Sequence, residues 1–362
     1  MKHFYDDNNC LVNVSNSILK HFDIETFHPT LNKLDAVLSK TNKKICLILL
    51  DGLGSKIREV YKNECQFINS GYFSTITSVF PPTTVAATTA LMSSKYPCET
   101  SWLGWSEKFK DTEFDVLMFY SEYNRQSELK VPFNTYFRLP YTSIIKRIND
   151  SGKKADLLQS FTLTDDDKFT LFFTEADKKI KENDFTYIYH TQPDSYLHEY
   201  GVGSDELKPV IKSLNEGIEQ LVKENKDTLF IVLADHGHLN VEYFNIEEHK
   251  DFYSLLSYPY ISLEARAVSF FVKEGEKEEF RRLGEKYYSE YFYILDKKEV
   301  KESHIFGIGK ENKYFDEVIG DFLFISKGKA AFFDKDSHKF KSHHAGSTLD
   351  EMLINISCFN VD

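Results

Sequence analysis

The chain has little of what staples, anchors or attracts polymers. It carries five cysteines, Cys10, Cys46, Cys65, Cys98 and Cys358, scattered, odd in number and without a CxxC pair. That excludes a disulfide framework and suits a reducing cytosol. Cys46 sits inside an apolar run and reads as a small buried hydrophobe. No run approaches the roughly 20 apolar residues that span a bilayer, and the N-terminal stretch lacks the apolar segment of a signal peptide. These absences predict a cytoplasmic chain with no membrane partner. A long basic run is missing too: 44 Lys and Arg stand against 56 Asp and Glu, for a net charge of −12. A nucleic-acid polymer is therefore not an expected partner. An acidic chain can still take a phosphate substrate where bound metal ions dominate the local field. No internal repeat or low-complexity tract stands out.

What is present is an ordinary globular composition, 41% hydrophobic and 28% charged over 362 residues. That length suffices for one large α/β domain and a smaller one. Lys44-Ile-Cys-Leu-Ile-Leu-Leu50 is a continuous apolar run, as expected of a strand buried on both faces of a parallel sheet. Phe185–Tyr189 and Thr228–Ala234 read the same way. Helices are predicted near 15–21, 31–39, 55–62, 85–94 and 207–225. Strands alternating with helices predict an α/β fold, a doubly wound and mostly parallel sheet. From about 241 to 338 the pattern changes to α+β. Strands are predicted at 267–272, 292–295 and 322–326, and a charged helix at 274–291. This predicts a main domain of 1–240 with 339–362 and an inserted α+β cap of 241–338.

Three acidic positions each follow a predicted buried strand: Asp51, Asp194 and Asp235. In open α/β sheets ligands bind beyond the carboxyl ends of strands, so distant loops can bring these side chains together. Asp194 and His198, spaced i and i+4, share a face if helical. In Asp235-His236-Gly237 the adjacent Asp and His can both be ligands only at an irregular turn, which the Gly favours. Ser342-His-His-Ala-Gly346 offers His343 or His344. Taken singly, each motif has a plain structural explanation: a chance helical pair, a polar turn, a loop. Together they supply three carboxylates and three imidazoles, enough for two zinc ions, with manganese also compatible. The two charges of +2 exceed the three carboxylates, which favours an anionic substrate. Phe80-Pro-Pro-Thr-Thr84 precedes a predicted helix, whose N-terminus suits an anion. A threonine hydroxyl there is either an N-cap or, next to a metal, an activated nucleophile.

In order along the chain, these segments resemble the alkaline phosphatase superfamily, and most of all its type I phosphodiesterase / nucleotide pyrophosphatase branch. The matching stretches are Leu50-Asp51-Gly52, Phe80–Pro97, Pro193–Gly201, Ala234–Gly237 and His344–Met352. The resemblance implies an alkaline phosphatase-like fold with Thr84 as the nucleophile. It implies one zinc held by Asp194, His198 and His344 and the other by Asp51, Asp235 and His236, with Thr84 also a ligand. It selects His344 over His343 and leaves His238 as an extra histidine that orients a ligand or serves structure. The implied substrate is a small phosphodiester or nucleotide-type pyrophosphate, cleaved through a phosphothreonine. A phosphomonoesterase, a phosphonate hydrolase and a metal-binding module without catalysis are the alternatives. The Asn that often contacts a phosphate oxygen in this branch has no counterpart in Trp102-Leu-Gly-Trp105. No sulfatase-type Cys/Ser-x-Pro-x-Arg segment is present. Trp102, Trp105, Phe119 and Tyr120 are read as core aromatics or as a stacking wall for a base.

Overall fold

The computed structural model describes residues 5–160 and 168–362. A six-stranded sheet forms its centre. In chain order the strands are β1 (Lys44–Leu50), β2 (Tyr72–Thr77), β3 (Ala155–Gln159), β4 (Phe185–His190), β5 (Thr228–Leu233) and β6 (Leu353–Phe359). Their spatial order is β2-β6-β5-β1-β4-β3. The strands β3, β4, β1 and β5 run parallel; β6 is antiparallel to both its neighbours. β4 and β5 are buried at every residue, and β1 from Ile45 onward. This is why each reads as an unbroken apolar run.

Helices flank the sheet. Leu11–His21 packs on Thr84–Ser93, and Leu207–Glu224 packs on Lys168–Glu182. Leu207–Glu224 buries Leu207, Val210, Ile211, Leu214, Ile218 and Leu221, a stripe at helical spacing. No helix of the described residues is long and apolar enough to cross a membrane.

A second, eight-stranded sheet lies over one end of the site. Phe292–Asp296, Phe322–Ser326, Ala267–Val272 and Leu256–Glu264 form one half of it, all antiparallel. Leu263 then pairs with Ser106, and the sheet continues through the short strands Ser106–Glu107, Val116–Leu117, Glu122–Tyr123 and Gln126–Lys130. Phe252, Phe270, Phe280, Phe292, Phe324 and Phe332 give this layer its own core. The Phe292 and Phe332 rings stack with centroids 4.3 Å apart. This part of the molecule absorbs many of the aromatic residues.

After the cap the chain returns beside the central sheet. Ser342–His343 pairs with Leu239–Asn240. That short ladder carries the C-terminal histidines to the Asp235–His238 loop.

Candidate metal centre and nucleophile

The register of the parallel strands decides where the carboxylates meet. Leu50 lies opposite His190, and Leu49 opposite Leu233. The chain therefore leaves the sheet at one edge three times, into Asp51, Asp194 and Asp235. Asp194 opens the helix Asp194–Tyr200, which puts His198 one turn on and on the same side. At Gly237 a Cβ would sit 2.0 Å from the Asp350 carbonyl oxygen, so only glycine lets the Asp235-His236 loop pass.

All seven residues singled out in the sequence converge. Thr84 Oγ1 lies 3.4 Å from each oxygen of Asp51 and 3.3 Å from His236 Nε2. His236 Nε2 is 3.3 Å from Asp51 Oδ1 and 3.6 Å from Asp235 Oδ2. Asp51, Asp235 and His236 thus present ligand atoms within 4.8 Å of one another. On the other side, Asp194 Oδ1 lies 3.5 Å from His198 Nε2 and 3.8 Å from His344 Nε2. His198, His343 and His344 also fall within one 4.8 Å group, as do Asp194, His236, His238 and His344. His238 Nε2 approaches Asp194 Oδ1 to 2.6 Å, so the extra histidine of the sequence touches a carboxylate of the site.

The donor set fits divalent cations. His198 Nδ1 donates to the Ser342 carbonyl at 3.0 Å and His236 Nδ1 to the Gly237 carbonyl at 3.2 Å. A carbonyl can only accept, so each ring turns its Nε2 toward the carboxylates, the tautomer a metal needs. Asp235 Oδ1 accepts from the Gly52 and His236 N–H groups at 3.0 and 2.9 Å. Its Oδ2 is buried with no hydrogen-bond partner. Buried polar atoms are rarely left so.

The electrostatics point the same way. Burial, and then the charge of Asp194, push the Asp51 carboxyl up; burial, and then Asp51, push Asp235 well up. Burial disfavours a charged His236, yet Asp235 and Asp51 outweigh it and hold the ring up at about 10. Burial, reinforced by neighbouring imidazoles, drives His238, His343 and His344 well down. A site of this kind lacks positive charge. Cations beside the carboxylates would replace the His236 proton and leave neutral imidazoles as ligands.

Two participants were not legible in the sequence. The Tyr189 hydroxyl hydrogen-bonds to Asp51 Oδ2; as one residue of a buried strand it carried no distinguishing signal. Glu264, at the end of a cap strand, accepts from Thr83 Oγ1 and from the Trp105 N–H at 2.5 and 2.8 Å. Burial raises its carboxyl to about 7, against those two hydrogen bonds. Nothing local to Glu264 in sequence marks it.

Two cavities open on Thr84. One, of about 520 Å³, is walled by Trp105, Phe119, Tyr120, Tyr136 and Tyr141. The other, of about 540 Å³, runs past His198, His343 and His344 to Glu264 and His338. Trp105 and Tyr120 are 40% and 56% exposed, whereas Trp102 is fully buried. Of the four aromatics named from sequence, three line the cavity. Trp102 is core, its indole N–H donating to the Leu139 carbonyl at 3.0 Å.

Carboxylates and imidazoles gathered beyond a doubly wound sheet, under an antiparallel cap and around a helix-initial threonine, are the architecture of alkaline phosphatase-like hydrolases. The chain belongs to the type I phosphodiesterase / nucleotide pyrophosphatase family, whose family model matches residues 45–348. No curated protein sequence matches it. Among solved structures, murine ectonucleotide pyrophosphatase / phosphodiesterase 5 is similar with a TM-score of 0.66 at 13% identity, over 87% of this chain and 88% of that one. An inactive threonine-to-alanine variant of that murine protein, in complex with AMP, has a TM-score of 0.64 at 13% identity, over 87% and 88%. Phosphonoacetate hydrolase from Sinorhizobium meliloti 1021, in complex with phosphonoformate, has a TM-score of 0.67 at 13% identity, over 88% and 90%. At these identities the likeness shows the fold.

Proposed function

We propose that the protein is a two-metal phosphohydrolase that cleaves small phosphodiesters or nucleotide-type pyrophosphates through a phosphothreonine at Thr84. The observation that carries this reading is the Thr84 hydroxyl, within 3.4 Å of both Asp51 oxygens and 3.3 Å of His236 Nε2. Asp51, Asp235, His236 and Thr84 would hold one cation, and Asp194, His198 and His344 the other. Bound zinc or manganese supplies Lewis-acid stabilisation of phosphoryl oxygens and eases deprotonation of a neighbouring hydroxyl.

The chain's own residues do the rest. Thr84 begins a helix of ten residues, so its oxygen sits where first-turn N–H groups lack carbonyl partners and favour an anion. Its hydroxyl lies within 3.4 Å of both Asp51 oxygens, which can accept its proton. Attack by Thr84 Oγ1 on phosphorus forms an ester and breaks the bond to the leaving oxygen. Water then cleaves the ester and restores the threonine. The aromatic cavity of about 520 Å³ suits a planar base, since every base has a face to stack. The murine relative's complex with AMP agrees with that choice.

The test uses zinc-loaded protein. Wild type should hydrolyse bis(nitrophenyl) phosphate and a nitrophenyl ester of a nucleoside monophosphate faster than nitrophenyl phosphate or phosphonoacetate. Thr84→Ala should keep its zinc and lose turnover by a factor of about 10³ or more, as loss of a nucleophile does. Full activity in that variant refutes the nucleophile. Faster cleavage of the monoester or of phosphonoacetate refutes the substrate class.

A further inference from the structure

The buried carboxylate of Glu264 takes no part in the phosphoryl transfer itself. Glu264 ends the strand Leu256–Glu264, and its side chain lines the second cavity beside Thr84. Its Oε1 accepts from the Thr83 hydroxyl at 2.5 Å and the Trp105 N–H at 2.8 Å. Two features show that the backbone is shaped to deliver it. Leu263, the residue before it, is buried at φ +71°, a left-handed conformation that a non-glycine residue adopts only at a cost. Opposite, Gly104 packs so closely that a Cβ there would sit 2.9 Å from Leu263 Cα. Strained backbone of this kind persists where the surroundings hold it, commonly at functional sites.

Thr83 meets the same carboxylate from the helix side. It is the N-cap residue of the helix Thr84–Ser93, yet its side chain makes no capping hydrogen bond. A threonine at this position ordinarily accepts from an N–H of the first turn. Here its hydroxyl donates to Glu264 instead.

We infer that Glu264 is a positioning residue for Thr84: by holding the Thr83 hydroxyl out of the first helical turn, it fixes the nucleophile's backbone and leaves the helix N–H groups to the phosphoryl oxygens. The inference rests on the Thr84 reading above. Without the carboxylate, Thr83 turns inward to cap its own helix. The competing hydroxyl then occupies the donors that the transferring phosphoryl group uses, and Thr84 loses its fixed orientation.

The experiment compares Glu264→Ala, Glu264→Gln and Thr83→Val with wild type, all zinc-loaded. Glu264→Ala should keep its zinc content and lose kcat about 10- to 100-fold with KM within about threefold, the signature of a misplaced reacting group. Glu264→Gln should recover to within about fivefold of wild type, because an amide oxygen still accepts from both donors. Thr83→Val breaks the same contact from the other side without supplying a competing hydroxyl, so it should lower kcat through lost orientation of Thr84 and by less than Glu264→Ala; it carries the test if Glu264→Ala fails to fold. Wild-type kcat in Glu264→Ala or in Thr83→Val overturns the inference, as does Glu264→Gln as impaired as Glu264→Ala. Thr84→Ala separates the two claims. An active Thr84→Ala refutes the nucleophile and the inference with it. An inert Thr84→Ala beside a fully active Glu264→Ala overturns the positioning role alone.

Discussion

A threonine hydroxyl in water is a weak nucleophile, and what distinguishes Thr84 is its company. Its oxygen lies against Asp51 and His236 at the start of a buried helix. The residues of this cluster were visible in the sequence because each follows a signal of its own. Asp51 and Asp235 come directly after apolar runs, Asp194 and His198 keep helical spacing, and Thr84 follows two prolines. Choosing Thr84 over Thr83, and His344 over His343, needed the family resemblance. The structure shows a physical distinction for the first pair, since Thr83 faces Glu264 and Thr84 faces Asp51. Glu264 escaped because its role arises only when the cap meets the nucleophile helix, and Tyr189 because only strand pairing brings it to Asp51. At the same scale, Trp105→Ala should raise KM for a nucleotide-type ester about 10-fold while leaving kcat nearly unchanged, as expected for loss of one stacking face worth roughly 1–3 kcal/mol. Steady-state kinetics on that ester and on bis(nitrophenyl) phosphate would check it. An equal loss on both substrates would contradict a base-stacking role.

Among the elements, legibility followed burial. β1, β4 and β5 are enclosed on both faces and read as apolar runs. β6 and β2 escaped notice: Leu353–Phe359 interleaves Asn355 and Ser357 with its apolar residues, and Tyr72–Thr77 mixes Tyr72, Phe73 and Ile76 with Ser74, Thr75 and Thr77. Leu256–Glu264 contains Pro259, a residue that argues against a strand. The two-residue strands Ser106–Glu107 and Val116–Leu117 have no pattern to read, since only tertiary pairing defines them. β4 carries a prediction of its own. His190, at its end, stacks on Phe169 and lies edge-on to Phe172. Burial lowers its imidazole from 6.5 to about 4. The unfolded chain therefore takes up a proton below pH 6.5 that the folded strand accepts only near 4. The stability linked to neutral His190 is complete above about 6.5 and is lost as the pH falls through about 4, by up to roughly 3 kcal/mol. Urea unfolding of wild type and His190→Gln between pH 7.5 and pH 4 reads this directly. The variant's advantage or deficit should shift toward the variant on acidification; a pH-independent difference would contradict it.

Across the whole molecule, the centre ties together segments from Asp51 to His344, more than any single element holds. Cations bound there would therefore be linked to folding of the segments that supply the ligands. Zinc at about 100 times its dissociation constant should stabilise the fold by roughly 2.7 kcal/mol over chelator-treated protein. Thermal melts with and without chelator would show this as a higher melting temperature with zinc; coincident melts would speak against a resident metal. The cap adds the roof, with Glu264 reaching down to Thr83 and Trp105 walling the aromatic cavity.

The most direct measurement is anomalous diffraction at the zinc edge from zinc-loaded crystals. Two peaks are expected to flank Thr84, one contacted by Asp51, Asp235 and His236 and the other by Asp194, His198 and His344. An empty map at both places, or zinc bound only elsewhere on the chain, would contradict this expectation.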